Sequence, residues 1–313
     1  MSQTSAASIP PARTAPRSLP HKLSLFAGDI KIAHTVFALP FALLSTFLAS
    51  RDFEPTGWPR LGKLLLILGC MVTARTVAMA ANRILDARLD ANNPRTARRA
   101  IPSGAISANF YGAMIASCAA AFVLFAAGFW RFYGNAWPLV WSVPVLAFLS
   151  AYPFMKRFTR LCHYWLGAAL ALAPVCAWVA IRGTLNAPPL WMAAAVLCWT
   201  AGFDILYACQ DYEVDVACGL FSVPSRLGIA RALWVSRLTH AVAAAMLIAL
   251  GFSTPRLGAL YFTGVAIAIA LLVIEQSLVR ASDLSKIGLA FFTVNGIISL
   301  LLGTLGIEDV VLR

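Results

Sequence analysis

Apolar residues along this chain come in long unbroken runs, and polar residues collect in the short stretches between them. Nine runs stand out, near residues 30–50, 61–82, 107–130, 137–153, 161–182, 188–208, 231–251, 256–279 and 287–306. A helix needs about 20 residues to cross a hydrocarbon core roughly 30 Å thick, and each run is near that length. The runs are Ala/Leu-rich and lack a two-residue period, which favours helices over barrel strands. The pattern predicts an all-α integral membrane bundle of nine transmembrane helices with no second soluble domain. Residues 1–21 are rich in Pro, Ser, Ala and Thr and carry too little apolar surface to fold, so they are expected to form a disordered cytoplasmic tail. The membrane domain is expected over residues 22–313. Its first run is too long for the core of a cleaved signal peptide and reads as a retained helix.

Composition agrees. Of 313 residues, 60% are apolar and only 12% charged, with a mean hydropathy of +0.77, which excludes a soluble domain of any common class. The formal charge of +12 is spread over loops at membrane faces with no basic-aromatic module, so no nucleic-acid partner is expected. Seventeen Lys and Arg residues fall on the side that holds the N-terminus and the loops after the second, fourth, sixth and eighth runs. Seven (Arg51, Arg60, Lys63, Arg131, Arg182, Arg256 and Arg313) fall on the other, and Arg75 lies inside a run. Cytoplasmic loops retain positive charge, so the N-terminus is expected in the cytoplasm and the C-terminus outside. The seven cysteines show no CxxC spacing and lie mostly within apolar runs, where they read as small packing residues.

Against this background, two pairs of carboxylates stand out: Asp86 and Asp90 in NRILDARLD, and Asp211 and Asp215 in DYEVD. Residues four apart share a helix face, so each pair can direct two carboxylates at one cation. Arg75, Asn82 and Asp86 fall on one stripe of the second run at about 100° per residue. Asp204, Asp211 and Asp215 repeat those offsets on the sixth. Four like charges brought together need a counter-charge, and hard carboxylate oxygens suit Mg²⁺ bridged to phosphate oxygens. Nearby basic loops supply Arg95, Arg98 and Arg99 in NPRTARRAIPSG, and Lys156, Arg157 and Arg160 in YPFMKRFTR. Guanidinium groups suit phosphate oxygens, although topology alone also accounts for positive charge here. A membrane transporter is the alternative from another class, but its polar residues would gather at the bilayer midplane rather than at one face.

Together, NRILDARLDANNPRTARRAIPSG, YPFMKRFT and YACQDYEVDVACGLFSVPSRLG resemble the signatures of the UbiA superfamily of intramembrane prenyltransferases. The resemblance covers residues 22 to 306 and implies transfer of a polyprenyl group from its diphosphate to an aromatic acid. By this likeness, Asp86, Asp90, Asp211 and Asp215 hold Mg²⁺, while Asn82, Arg98, Arg99, Lys156 and Arg157 bind diphosphate. Tyr152 lies beside the reacting carbon. From their positions in the runs, Arg75, Asp204 and Tyr207 are candidates for contact with the acceptor; the alternatives are that Arg75 structures the acidic stripe and that Asp204 makes a salt bridge or hydrogen bond between helices. The acceptor is expected to be of the 4-hydroxybenzoate type, in ubiquinone synthesis. Many ubiquinone-pathway members read Asn-Asp at the start of the first motif, whereas this chain reads Asn82-Arg83. That variant resembles a bacterial branch linked to menaquinone synthesis by the futalosine route, which leaves a dihydroxynaphthoate as the alternative. The implied location is the bacterial inner membrane.

Overall fold

The computed structural model describes residues 18–30 and 37–313. Its helices in chain order are α1 (Leu19–Asp29), α2 (Leu39–Arg51), α3 (Leu61–Leu85), α4 (Ala87–Asn92), α5 (Ala108–Tyr133), α6 (Trp137–Met155) and α7 (Cys162–Arg182). They continue as α8 (Ala187–Ala208), α9 (Tyr212–Ala217), α10 (Val223–Leu227), α11 (Ile229–Phe252), α12 (Ala259–Leu278) and α13 (Asn295–Leu312). Among the described residues no strand interrupts them. Eight helices are long and apolar enough to cross a membrane, and α2 adds a shorter apolar helix of 13 residues. The fold is an all-helical membrane bundle, consistent with nine spans. Lys31 and His34, at the head of the first apolar run, lie outside the described residues.

One boundary moves. Helix α1 begins at Leu19, inside the segment expected to lack structure, because Pro20 suits a first turn and Phe26 finds a buried seat. There Phe26 packs edge-on against Tyr111, their centroids 4.9 Å apart. Residues 1–17 lie outside the described range.

Six helices close a ring in the order α2, α7, α8, α11, α12, α13 and back to α2, while α3, α5 and α6 pack together against the α7 side. Small residues allow the close crossings that membrane bundles use. A Cβ on Gly167 of α7 would collide with the backbone carbonyl of Leu197 on α8, and one on Gly303 of α13 would collide with Pro40 on α2. Gly167→Ala is therefore expected to destabilise the bundle by about 1–3 kcal/mol, since backbone cannot step aside as a flexible side chain can. Thermal unfolding in detergent against wild type measures this, and an unchanged midpoint would refute it.

The helix ends are set by local chemistry. The Ser107 hydroxyl accepts from the Phe110 amide to open α5, and Gly134, at φ 70°, closes it with a turn that favours glycine. Alternation of direction brings residues 86–107, 156–161, 209–228 and 279–288 to one end of the bundle. That end carries both acidic segments and most of the basic loop residues.

Candidate active site

Each acidic segment begins where its long helix breaks. Helix α3 stops at Leu85, and Asp86 stands between it and α4 at φ −94°, ψ 0°. Helix α8 stops at Ala208, a 3₁₀ turn covers Cys209–Asp211, and Asp211 precedes α9 at φ −99°, ψ 8°. Both aspartates thus occupy the sparsely populated bridge region, where active-site residues are often found. Short polar side chains such as Asp compete with regular helix and favour such breaks. The unbroken acidic stripe expected from helical spacing is corrected accordingly: Asp90 and Asp215 sit on separate short helices. At the first break the four-residue relationship survives, because the Asp90 amide still donates to the Asp86 carbonyl at 2.8 Å.

The acids are drawn together by cations. Lys156 Nζ donates to Asp86 Oδ2 at 2.6 Å, with Arg157 3.6 Å from Asp86 Oδ1. Arg157 also donates to the Leu85 carbonyl at 2.6 Å, satisfying the end of α3. One Arg99 nitrogen reaches both oxygens of Asp90, at 2.7 and 2.8 Å. Arg95 grips Asp211 with two nitrogens, at 3.0 and 2.6 Å, and donates to the Tyr207 hydroxyl at 3.1 Å. Asn93 adds a bond to Asp211 Oδ1 at 2.9 Å.

Two of these cations are shared between motifs. Arg95 feels Asp90 as well as Asp211, and Lys156 acts on Asp215 as well as Asp86. Arg95 and Asn93, from the loop after Asp90, therefore join the first acidic motif to Asp211 of the second. Burial alone would lower the pKa of Arg95, but its hydrogen bonds to Asp211 and that carboxylate's charge outweigh burial and hold it above its ordinary value.

Arg99 contacts an acid, whereas Arg98 faces solvent. Accordingly Arg99→Ala is expected to slow turnover about 10-fold or more, as befits loss of a charge-assisted contact, and Arg98→Ala less than about 2-fold. Steady-state rates of the two variants side by side check the assignment.

Tyr152 ends near Asp86, Asp204 and Arg99, one residue before Pro153 in the last turns of α6. Asn82 and Arg75 are half-buried on α3. Asp204 is engaged across helices by His163, whose Nδ1 lies 2.7 Å away while its Nε2 accepts from the Val223 amide at 3.1 Å. That second bond fixes the tautomer, leaving Nδ1 to donate. The sequence offers Arg95 as a loop arginine suited to phosphate but does not show its grip on Asp211, and it singles out neither Asn93 nor His163. Asn93 lies just past the first motif and could have been found by extending it through the loop, but nothing local marks His163.

Behind the charged cluster runs a file of aromatic rings. Tyr207 packs on Phe291 at 4.2 Å between centroids, Phe291 meets Phe203 at 5.2 Å, Phe203 meets Trp199 at 5.1 Å, and Trp199 meets Phe41 at 5.4 Å. A π-helical turn over Leu289–Val294 presents Phe291 to Tyr207. Such a turn is uncommon and often marks a functional site. The whole is a charged mouth beside an aromatic interior.

A family model for the UbiA prenyltransferase family matches residues 38–297. The chain belongs to the UbiA family. It is thus an intramembrane prenyltransferase, and the transporter reading gives way. UbiA relatives include the 4-hydroxybenzoate octaprenyltransferase of Pseudoalteromonas translucida, 29% identical over 295 residues that make up 90% of this chain and 95% of that protein. The enzyme of the same name from Pseudomonas aeruginosa is 31% identical over 78% of this chain and 80% of its own. Among solved structures, the apo UbiA homolog from Aeropyrum pernix K1 superposes with a TM-score of 0.78 at 31% identity, covering 89% of this chain and 98% of that one. The UbiA homolog from Archaeoglobus fulgidus bound to DMAPP and Mg²⁺ shares the fold at a TM-score of 0.69 and 19% identity, over 92% of this chain and 99% of that one.

The residues present suit a divalent cation. The four carboxylates of this UbiA site are hard oxygen donors, and Asp86 Oδ1 is buried with no hydrogen-bond partner among the described residues. Among those residues no three His, Cys, Asp or Glu side chains form a ready-made cage. Asp86, Asp90 and Asp211 each pair with Lys or Arg side chains instead.

Proposed function

We propose that this UbiA enzyme transfers a polyprenyl group from polyprenyl diphosphate to an aromatic acid of the 4-hydroxybenzoate type, with Mg²⁺ held by Asp86, Asp90, Asp211 and Asp215. The observation that carries the reading is the charged cluster: Arg95 and Asn93, from the loop after Asp90, bond Asp211 of the second motif, Lys156 bonds Asp86 of the first, and Tyr207 leads from Arg95 into an aromatic interior. Bound Mg²⁺ would supply Lewis-acid withdrawal of charge from the diphosphate. Lys156, Arg157, Arg99 and Arg95 would meet the remaining diphosphate oxygens as its negative charge grows. The allylic C–O bond breaks and its electron pair leaves with diphosphate. Tyr152 and Tyr207 offer ring faces to the allylic cation, and the aromatic file keeps water from capturing it. The acceptor ring forms its new C–C bond beside its hydroxyl and then loses a proton.

Arg75 lies seven residues before Asn82 on α3, about 10 Å deeper, a depth suited to an acceptor's carboxylate. Tyr207 and Asp204, on α8, are further candidates for contact with the acceptor. The charged end of the bundle is assigned to the cytoplasm of a bacterial inner membrane, because it gathers most of the Lys and Arg.

Membranes containing the protein should convert labelled polyprenyl diphosphate and 4-hydroxybenzoate to product with Mg²⁺ present, and lose that conversion in excess chelator. Product with a dihydroxynaphthoate alone would overturn the acceptor assignment and favour the menaquinone route suggested by Asn82-Arg83. Undiminished turnover without divalent cation would overturn the metal assignment.

A further inference from the structure

The end of the bundle away from the carboxylates holds a separate cavity of about 520 Å³ that the transfer reaction does not use. Lys63 at the start of α3 lines it, nearly the whole helix from Asp86, roughly 35 Å away.

Its chemistry is cationic and aromatic. The Lys63 side chain is only 8% exposed, its Nζ 2.6 Å from Glu54 and within 5.4 Å of the Phe53 and 5.3 Å of the Tyr133 ring centroids. Glu54 is shared with Arg60 at 2.8 Å, so a single carboxylate answers two cations. Arg182 is the third cation. It lies over the Phe53 and Trp178 rings at 5.8 and 5.3 Å, and no carboxylate among the described residues is within ion-pair distance of it. Stacking on ring faces leaves the donors at the guanidinium edge available to an anion. The local charge is therefore positive inside a concave site.

The cavity opens onto an apolar ridge. Trp137 and Val140 line it and are 50% and 60% exposed; the ridge continues along α6 through Trp141 and Val143, 54% and 65% exposed. In a membrane bundle that ridge faces lipid, and exposed tryptophans belong at the level of the headgroups. A ligand that fits must pair a negative head with a hydrocarbon tail. We propose that this cavity binds an anionic phospholipid, taking the phosphate between Lys63 and Arg182 and laying an acyl chain along Trp137, Val140 and Trp141. Zwitterionic lipids fit poorly, because their ammonium group would be brought against the same two cations. The inference stands apart from the prenyl-transfer reading and uses none of its residues.

Native mass spectrometry of the full chain, purified in detergent with equimolar dioleoyl phosphatidylglycerol and phosphatidylcholine, tests it. Wild type should retain phosphatidylglycerol at least about 5-fold over phosphatidylcholine. Arg182→Gln should bring the ratio near one, whereas Arg131→Gln, near the same end but outside the cavity, should leave it unchanged. Equal retention by wild type, or an unaltered preference in Arg182→Gln, overturns the proposal. So does loss of the lipid adducts to millimolar inorganic phosphate, which would show a plain phosphate site. A second measurement covers the case where Arg182→Gln fails to fold. In vesicles, brominated phosphatidylglycerol should quench tryptophan fluorescence more than brominated phosphatidylcholine, and Trp137→Phe should remove most of that difference. Equal quenching by the two lipids would refute the site.

Discussion

Asp86→Ala is expected to lower the rate of prenyl transfer by about 1,000-fold or more while the protein still inserts and elutes as a single species. Asp86 is 3% exposed and faces two cations, Lys156 at 2.6 Å and Arg157 at 3.6 Å. Removing it deletes a hard oxygen that would hold the metal and frees both cations to bind diphosphate unproductively. Loss of one preorganised electrostatic contact in an enzyme commonly costs 100- to 1,000-fold, and two functions depend on this carboxylate. Asp86→Asn, which keeps the volume, should fall nearly as far, because charge rather than size is lost. Single-turnover rates with labelled donor measure both, and normal turnover in either would remove Asp86 from the site.

The second large effect concerns stability. Asp29→Ala is expected to destabilise the bundle by about 3–5 kcal/mol, the usual result of leaving one member of a buried ion pair alone. Asp29 ends α1 and accepts from Arg83 at 3.0 Å, from the Tyr111 hydroxyl at 2.5 Å and from the Ala100 amide at 3.2 Å. Its side chain is 9% exposed and that of Arg83 only 4%. Nothing else described in that pocket neutralises Arg83 directly. The double variant Asp29→Ala with Arg83→Met should recover most of the loss, since an apolar replacement of a whole buried pair is often neutral. Unfolding midpoints in mild detergent compare the three proteins. A double variant no better than the single one would show that Asp29 acts through Tyr111 and Ala100 rather than by compensating Arg83.

The long helices were plain in the sequence because bilayer thickness imposes their length and composition. The run near 161–182 became Cys162–Arg182, and the run near 188–208 became Ala187–Ala208. Helical spacing could not reveal the breaks at Asp86 and Asp211, since the same residues satisfy the four-residue pattern whether or not the helix is interrupted. The four acids, Lys156 and Arg99 were legible as types of residue suited to diphosphate. Their partners were not: which loop arginine reaches Asp211 depends on how the segment after α4 folds across to α8, and that is tertiary. Asp29 carried no local signal, because its partners lie 54, 71 and 82 positions along the chain. The same holds for the bond between His163 and Asp204, which joins α7 to the end of α8.

The pairing of Asp86, Asp90 and Asp211 with Lys156, Arg157, Arg99 and Arg95 has a consequence for the order in which ligands arrive. A bare divalent ion approaching this mouth would find most oxygens of Asp86, Asp90 and Asp211 already engaged by lysine and arginine, Asp86 Oδ1 excepted, and would be held weakly. Under the proposed function, a diphosphate bringing that ion would offer the lysine and arginines new anionic partners at the moment it took their old ones. Exchange of partners would then replace separation of charge as the substrate enters.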